Sequence, residues 1–213
     1  MKKPKACIIN FSTNNLLSIE RAIKYLGFDT SVIYEKTNIS KYDLIVFPGV
    51  GAFGEVMINL KKNKLIDVVH NAISSNKKLI SICLGMQLLF DESEEFGSTR
   101  GIGFFKGKVE GFNKLDSELN TFIGWNKVHF DDDNYKKKFL NNDSYLINSN
   151  YYFVHSCCVK NTNKEYVKGV SFNGNTSFVS LMMKDNVIAT QFHPEKSGKV
   201  GIKLLENFLK PVF

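Results

Sequence analysis

The chain has 213 residues, with 28 Lys and Arg against 21 Asp and Glu, a formal charge of +7, and 43% hydrophobic and 23% charged residues. A chain of this length can bury roughly 70% of its surface without disulfide staples, and the composition excludes a disordered tail protein. Apolar runs such as 44–50 fall far short of the roughly 18 residues of a membrane span, and residues 6–9, stopped by Asn10, are too short for a signal-peptide core, so a cytoplasmic location is expected.

Residues 5–10 form a short apolar run and predict a buried strand. Leu16, Ile19, Ala22, Ile23 and Leu26 recur at helical spacing, and Gly27 closes that helix. The stretch 30–34 is β-branched and aromatic and predicts a second strand. A third strand, 42–47, ends at Pro48-Gly-Val-Gly51. Leu65, Val68, Val69, Ala72 and Ile73 mark another helix; 78–82 is a fourth strand, and 85–91 starts a helix almost at once. This alternation over 1–92 predicts a parallel sheet covered on both faces. The segments 105–112, 122–130, 144–147, 151–160, 166–172, 177–183 and 187–192 then read as strands joined by Asn, Gly and Asp turns. Residues 197–209 form a last amphipathic helix with Val200, Leu204, Leu205, Phe208 and Leu209 apolar. The expected architecture is one α/β domain over 1–213, with antiparallel additions in its second half. Asp131-Asp-Asp-Asn134 reads as a polar turn and not as a metal site.

Positive charge invites a nucleic-acid reading, but 26 of the 28 basic residues are Lys. Base reading and bidentate phosphate binding favour Arg. The Lys residues are also scattered, which fits a solvated surface. Cys7, Cys83, Cys157 and Cys158 do not form a disulfide framework. Cys157 and Cys158 are adjacent and face opposite ways on a strand. No Cys or His spacing suits zinc.

Three segments carry chemistry. Strand 78–82 passes through Ser81, Cys83 and Gly85 directly into a helix. Small residues on both sides of a nucleophile permit a sharp turn that projects its side chain at the sheet edge. The sulfur then faces the helix N-terminus, which favours thiolate, and the amide of Leu84 is placed to bind an oxyanion. The same spacing fits a buried structural cysteine. Further along, His193 and Glu195 lie two apart around Pro194 on an extended segment and point the same way. That pair suits a base and its orienter, although a satisfied core histidine fits as well. Pro48-Gly-Val-Gly-Ala-Phe-Gly54 allows close backbone approach to a ligand or is a plain turn; it lacks the Lys-Ser/Thr of a phosphate loop.

Together and in this order, PGVGAFG at 48–54, ICLGMQLLF at 82–90, GWN at 124–126, YFVHS at 152–156 and HPEKS at 193–197 resemble the class I (triad) glutamine amidotransferases. Within that class they are most similar to the glutaminase subunits of imidazole glycerol phosphate synthases. The resemblance implies a flavodoxin-like fold and a thiol mechanism without a cofactor. Cys83 would attack the glutamine amide, His193 would be acid and base, and Glu195 would orient His193. Leu84 with Val50 or Gly51 would form the oxyanion hole. Gln87, Glu95, Ser156 and Cys157 would hold glutamine. Ammonia would pass to a separate (βα)₈ cyclase that makes imidazole glycerol phosphate and AICAR in histidine biosynthesis, with Asn15, Trp125, Asn126 and Lys196 at the heterodimer interface. Trp125 also fits plain core packing. The chain departs from the family pattern at 10–15, Ser81, Thr121-Phe122 and Gly198. An alternative is a paralogous glutaminase that supplies ammonia for sugar amidation in surface-polysaccharide synthesis. More remote are a non-catalytic docking subunit and a stand-alone thiol hydrolase.

Overall fold

The computed structural model describes residues 3–11, 16–112, 120–130 and 132–210. Its first half runs β1 (Lys5–Ile9), α1 (Leu17–Tyr25), β2 (Asp29–Ile33), β3 (Leu44–Gly49), α2 (Phe53–Lys62), α3 (Leu65–Ser74), β4 (Lys78–Cys83) and α4 (Leu84–Leu88). The second half adds β5 (Phe90–Ser93), β6 (Thr99–Arg100), β7 (Phe105–Gly111), β8 (Phe122–Lys127), α5 (Asp133–Lys138), α6 (Ser144–Asn148) and β9 (Asn150–His155). It ends with β10 (Cys157–Thr162), β11 (Val167–Asn173), β12 (Thr176–Lys184), β13 (Val187–Thr190) and α7 (Gly198–Leu209).

The central sheet has the order β11-β12-β13-β4-β3-β1-β2. Strands β2, β1, β3, β4 and β13 are parallel, while β12 and β11 add as antiparallel neighbours. The inner strands are almost entirely buried and mostly apolar because helices cover both faces, and successive side chains enter opposite cores. Ala6, Ile8, Leu44, Val46, Ile80 and Ile82 meet α1 and α7. Cys7, Ile9, Ile45, Phe47 and Leu79 meet α2 and α3. Each such fully buried Leu, Ile or Phe stabilises the fold by about 2 kcal/mol. Edge strand β2 instead alternates exposed and half-buried residues up to Ile33. Gly27 ends α1 at φ 93°, where the amide of Phe28 returns to the carbonyl of Ile23.

Several segments differ from the sequence pattern. Residues 144–147 are helix α6, not a strand, because the Asp143 side chain accepts from the Tyr145 amide and caps it. Asp132 likewise caps α5, so the polar run 132–134 starts a helix; Asp131 lies outside the described residues. Helix α2 was hidden behind the glycine turn, although Phe53, Val56, Met57 and Leu60 carry its spacing. Helix α4 stops at Leu88, and Phe90 opens β5, which pairs with β7. The expected strand 151–160 breaks at Ser156. Its first part pairs with β8, and its second joins β7 in a four-stranded sheet, β10-β7-β5-β6. Propensity alone does not place such a break, because each half is satisfied by a different partner strand.

Candidate active site

Cys83 ends β4 at φ 54° and ψ −112°, a conformation that non-glycine residues avoid. Close packing of the first turn of α4 holds this strain in place. A Cβ on Gly85 would lie 1.9 Å from the carbonyl oxygen of Phe47, so only glycine lets α4 turn this closely over β3. The turn leaves Cys83 5% exposed, with its thiol donating to the Val154 carbonyl at 3.7 Å.

Strand β13 lies beside β4 in parallel register, Ile82 against Thr190. Both chains therefore leave the sheet at the same edge, and residues 110 positions apart meet there. The sequence predicts an extended His-Pro-Glu segment; the structure instead forms a 3₁₀ turn over Pro194–Lys196. The carboxylate still reaches the ring: His193 Nδ1–H donates to Glu195 Oε1 at 2.8 Å, with both side chains almost fully buried. Strand β9 pins the corner. The His193 amide donates to the Tyr152 carbonyl, and the Ser197 hydroxyl donates to the His193 carbonyl while accepting from the Tyr152 amide. Burial pulls the His193 imidazole toward its neutral form. The negative charge of Cys83, then the hydrogen bond and charge of Glu195, outweigh burial and raise its pKa to about 10. Among the described residues, His193 Nε2 and Glu195 Oε2 have no hydrogen-bond partner.

A cavity of about 280 Å³ opens at the sulfur. Val50, Gly51, Leu84, Gln87, Glu95, Ser156 and Cys157 all line it with Cys83, so one space gathers the residues expected to bind substrate and oxyanion. Gly51 stands at φ 118°, which favours glycine at the turn between β3 and α2. Glu95 Oε2 accepts from the Phe53 amide at 2.7 Å and so ties the glycine loop to the cavity wall. Gln87, 4% exposed, donates through Nε2 to the Cys157 carbonyl at 2.8 Å and to Gln191 Oε1 at 2.9 Å. A second cavity, of about 250 Å³, reaches His193, Glu195 and Lys196 from the other side, with Val50 common to both.

Trp125 is 55% exposed, which excludes the core-packing reading. Its ring meets Tyr152 edge-on at 5.9 Å, and Tyr152 lies 6.5 Å from the His193 ring. Ile123 and Phe172 are exposed nearby on β8 and β11, and Asn126 Nδ2 donates to the Phe172 carbonyl. Lys196 is exposed beside His193, whereas Asn15 lies outside the described residues. Gln191 and Tyr152 carried no role in the sequence reading. Gln191 adjoins the His-Pro-Glu motif, but only the fold brings it to Cys83.

All four cysteines are free. Cys157 and Cys158 enter opposite cores, as their adjacency predicts. Burial pushes the Cys7 and Cys158 thiols up to about 12, which makes them inert. His155 is a second buried imidazole, packed against the rings of Phe112, Phe153 and Phe178. Burial lowers its pKa to about 4, against a weaker raising effect from its hydrogen bond to the Cys157 carbonyl. Among the described residues no group of three His, Cys, Asp or Glu is placed to hold a metal ion, and no helix is long and apolar enough to cross a membrane.

A strained cysteine at a strand-to-helix turn, facing a His–Glu pair across a sheet edge, is the geometry of a thiol acyl-transfer site. The family model for class-I glutamine amidotransferases matches residues 7–212, and the chain belongs to that family, whose members hydrolyse glutamine. The structure of PurLQS from Thermotoga maritima superposes with a TM-score of 0.74 at 17% identity, covering 100% of both chains, which supports the fold. Within the family, the chain belongs with the HisH subunits of imidazole glycerol phosphate synthase. It is 37% identical over 201 residues to HisH of Caldanaerobacter subterraneus, covering 94% of this chain and 95% of that one. It is 34% identical to the imidazole glycerol phosphate synthase hisHF of Schizosaccharomyces pombe, covering 95% of this chain but 37% of the relative.

Proposed function

We propose that the chain, as one amidotransferase domain, is the glutaminase subunit of an imidazole glycerol phosphate synthase in histidine biosynthesis, with Cys83, His193 and Glu195 as its catalytic triad. The supporting observation is the parallel pairing of β4 and β13, which brings Cys83, on the wall of the 280 Å³ cavity, to the same sheet edge as the hydrogen-bonded His193–Glu195 pair. Glutamine enters that cavity with its carboxamide toward Cys83. Gln87 and Glu95, with the backbone at Ser156 and Cys157, hold its α-substituents. The Cys83 thiolate attacks the amide carbon and forms a C–S bond, and the carbonyl electrons move onto oxygen. Leu84 with Val50 or Gly51 offers amides to that oxyanion. His193 gives its proton to the nitrogen as the C–N bond breaks, and ammonia leaves. His193 then takes a proton from water, hydroxide attacks the thioester, and glutamate departs with the thiolate restored.

Ammonia needs an acceptor. The Schizosaccharomyces pombe relative carries a HisH-like part in just over a third of its length, which supports a cyclase partner for the shorter chain. We assign that docking to the exposed face of Ile123, Trp125, Asn126 and Phe172, together with Lys196 and Asn15. Tyr152 links this face to His193. HisH relatives at this level of identity do not favour the sugar-amidation alternative. The test is glutamate release from glutamine by the chain alone, and with the organism's histidine-pathway cyclase and its ribonucleotide substrate. Low release alone that rises sharply with the loaded cyclase supports the assignment. No stimulation, while a glutamine-analogue electrophile labels Cys83, means that the partner is wrong.

A further inference from the structure

We propose that Gln191 is a fourth group of the reaction centre, whose side-chain amide donates a hydrogen bond to Cys83 Sγ and stabilises the attacking thiolate. The proposal rests on Cys83 being the nucleophile. The observation behind it is a chain of buried amides whose polarity can be deduced. The Cys157 carbonyl can only accept, so the Gln87 atom 2.8 Å from it is the NH₂. The second proton of that NH₂ points at Gln191, 2.9 Å away, so the Gln191 atom there is its carbonyl oxygen. The Gln191 NH₂ is then left facing Cys83 Sγ at 3.7 Å. A backbone carbonyl thus sets the orientation of two side-chain amides and aims an N–H at the sulfur.

The surroundings leave Gln191 little freedom. It is fully buried, and its backbone amide donates to the Ser180 carbonyl just beyond the end of β13. On its other side the sulfur meets the Val154 carbonyl at 3.7 Å. That oxygen can accept an S–H proton when the sulfur is protonated but offers nothing to a thiolate. Gln191 does the reverse, because an N–H donor gains most when the acceptor carries charge. Cys83 therefore has one partner for each protonation state. Gln191 rewards the state that attacks and that re-forms when the thioester is hydrolysed.

The test compares Gln191→Glu, Gln191→Met and Cys83→Ala with the wild-type chain, each in complex with the cyclase. It reads kcat, KM, and the ultraviolet thiolate absorbance lost on Cys83→Ala. Gln191→Glu keeps the shape and still accepts from Gln87, but it turns an oxygen toward the sulfur. We expect its kcat to fall about 100-fold with KM little changed, and the thiolate absorbance to disappear. Gln191→Met is expected to lose about 10-fold in kcat. A Gln191→Glu protein with kcat within about threefold of wild type, or with a loss confined to KM, overturns the proposal. If Gln191→Glu does not fold, the same criterion applied to Gln191→Met decides. Cys83→Ala separates the two ideas. If it retains activity, the nucleophile assignment fails; if it is inactive while Gln191→Glu is fully active, only the role of Gln191 fails.

Discussion

His193 and His155 are both buried, yet they are driven in opposite directions. Burial disfavours the charged ring at both sites. His155 meets phenyl rings and one backbone carbonyl, so burial prevails and its pKa falls to about 4. His193 meets the sulfur of Cys83 and the carboxylate of Glu195, and these anions raise its pKa to about 10. The lesson is that burial amplifies whatever charge is left nearby and does not by itself make a histidine inert. The difference is made by a strand-to-helix turn on one side and a Pro-induced 3₁₀ turn on the other, which together bring two acidic groups to one imidazole.

The comparison breaks most completely when its anions are removed. Cys83→Ser is expected to lower glutamate release by about 10⁴-fold or more, measured with the cyclase present, while the fold is kept. Glu195→Gln is expected to cost about 10³-fold in kcat, because the ring loses its orienting charge; a loss seen only in KM would refute that role. Gly85→Ala tests the turn itself. The new methyl group collides with the Phe47 carbonyl, so a loss of about 2–4 kcal/mol should appear as a lowered unfolding midpoint in urea, together with reduced activity.

The smallest effects concern pH and sharpen the contrast. His193 has a raised pKa, so its contribution to stability is complete below about pH 6.5 and is lost as pH rises toward about 10. In Glu195→Gln the alkaline fall in melting temperature should flatten. His155 has a lowered pKa, so its contribution is present above about pH 6.5 and is lost as pH falls toward about 4. His155→Phe should flatten the acid fall. If the two variants changed the same limb, the opposite shifts would be refuted.

Much of this molecule was legible before its structure. Helical spacing and apolar runs located β1, α1, β3, α3, β4 and α7, because fully covered strands and one-sided helices leave strong periods in a sequence. Weaker signals failed where a side chain caps a helix, as Asp143 does for α6, or where one apolar run serves two sheets, as at Ser156. The motifs around Cys83 and His193 were likewise visible as small residues at a turn and a His-Pro-Glu corner. Their roles depend on proximity, and no spacing of 110 residues encodes proximity.

The sequence by itself determined the strongly periodic elements, the acid–base chemistry available and the family resemblance, since these follow from local pattern and residue type. Only the tertiary structure decided that β4 and β13 are neighbours, that Trp125 faces outward and that Gln191 points an amide at the sulfur. Those outcomes depend on strand order and on hydrogen bonds between residues distant in the chain, which are settled when all the layers pack at once.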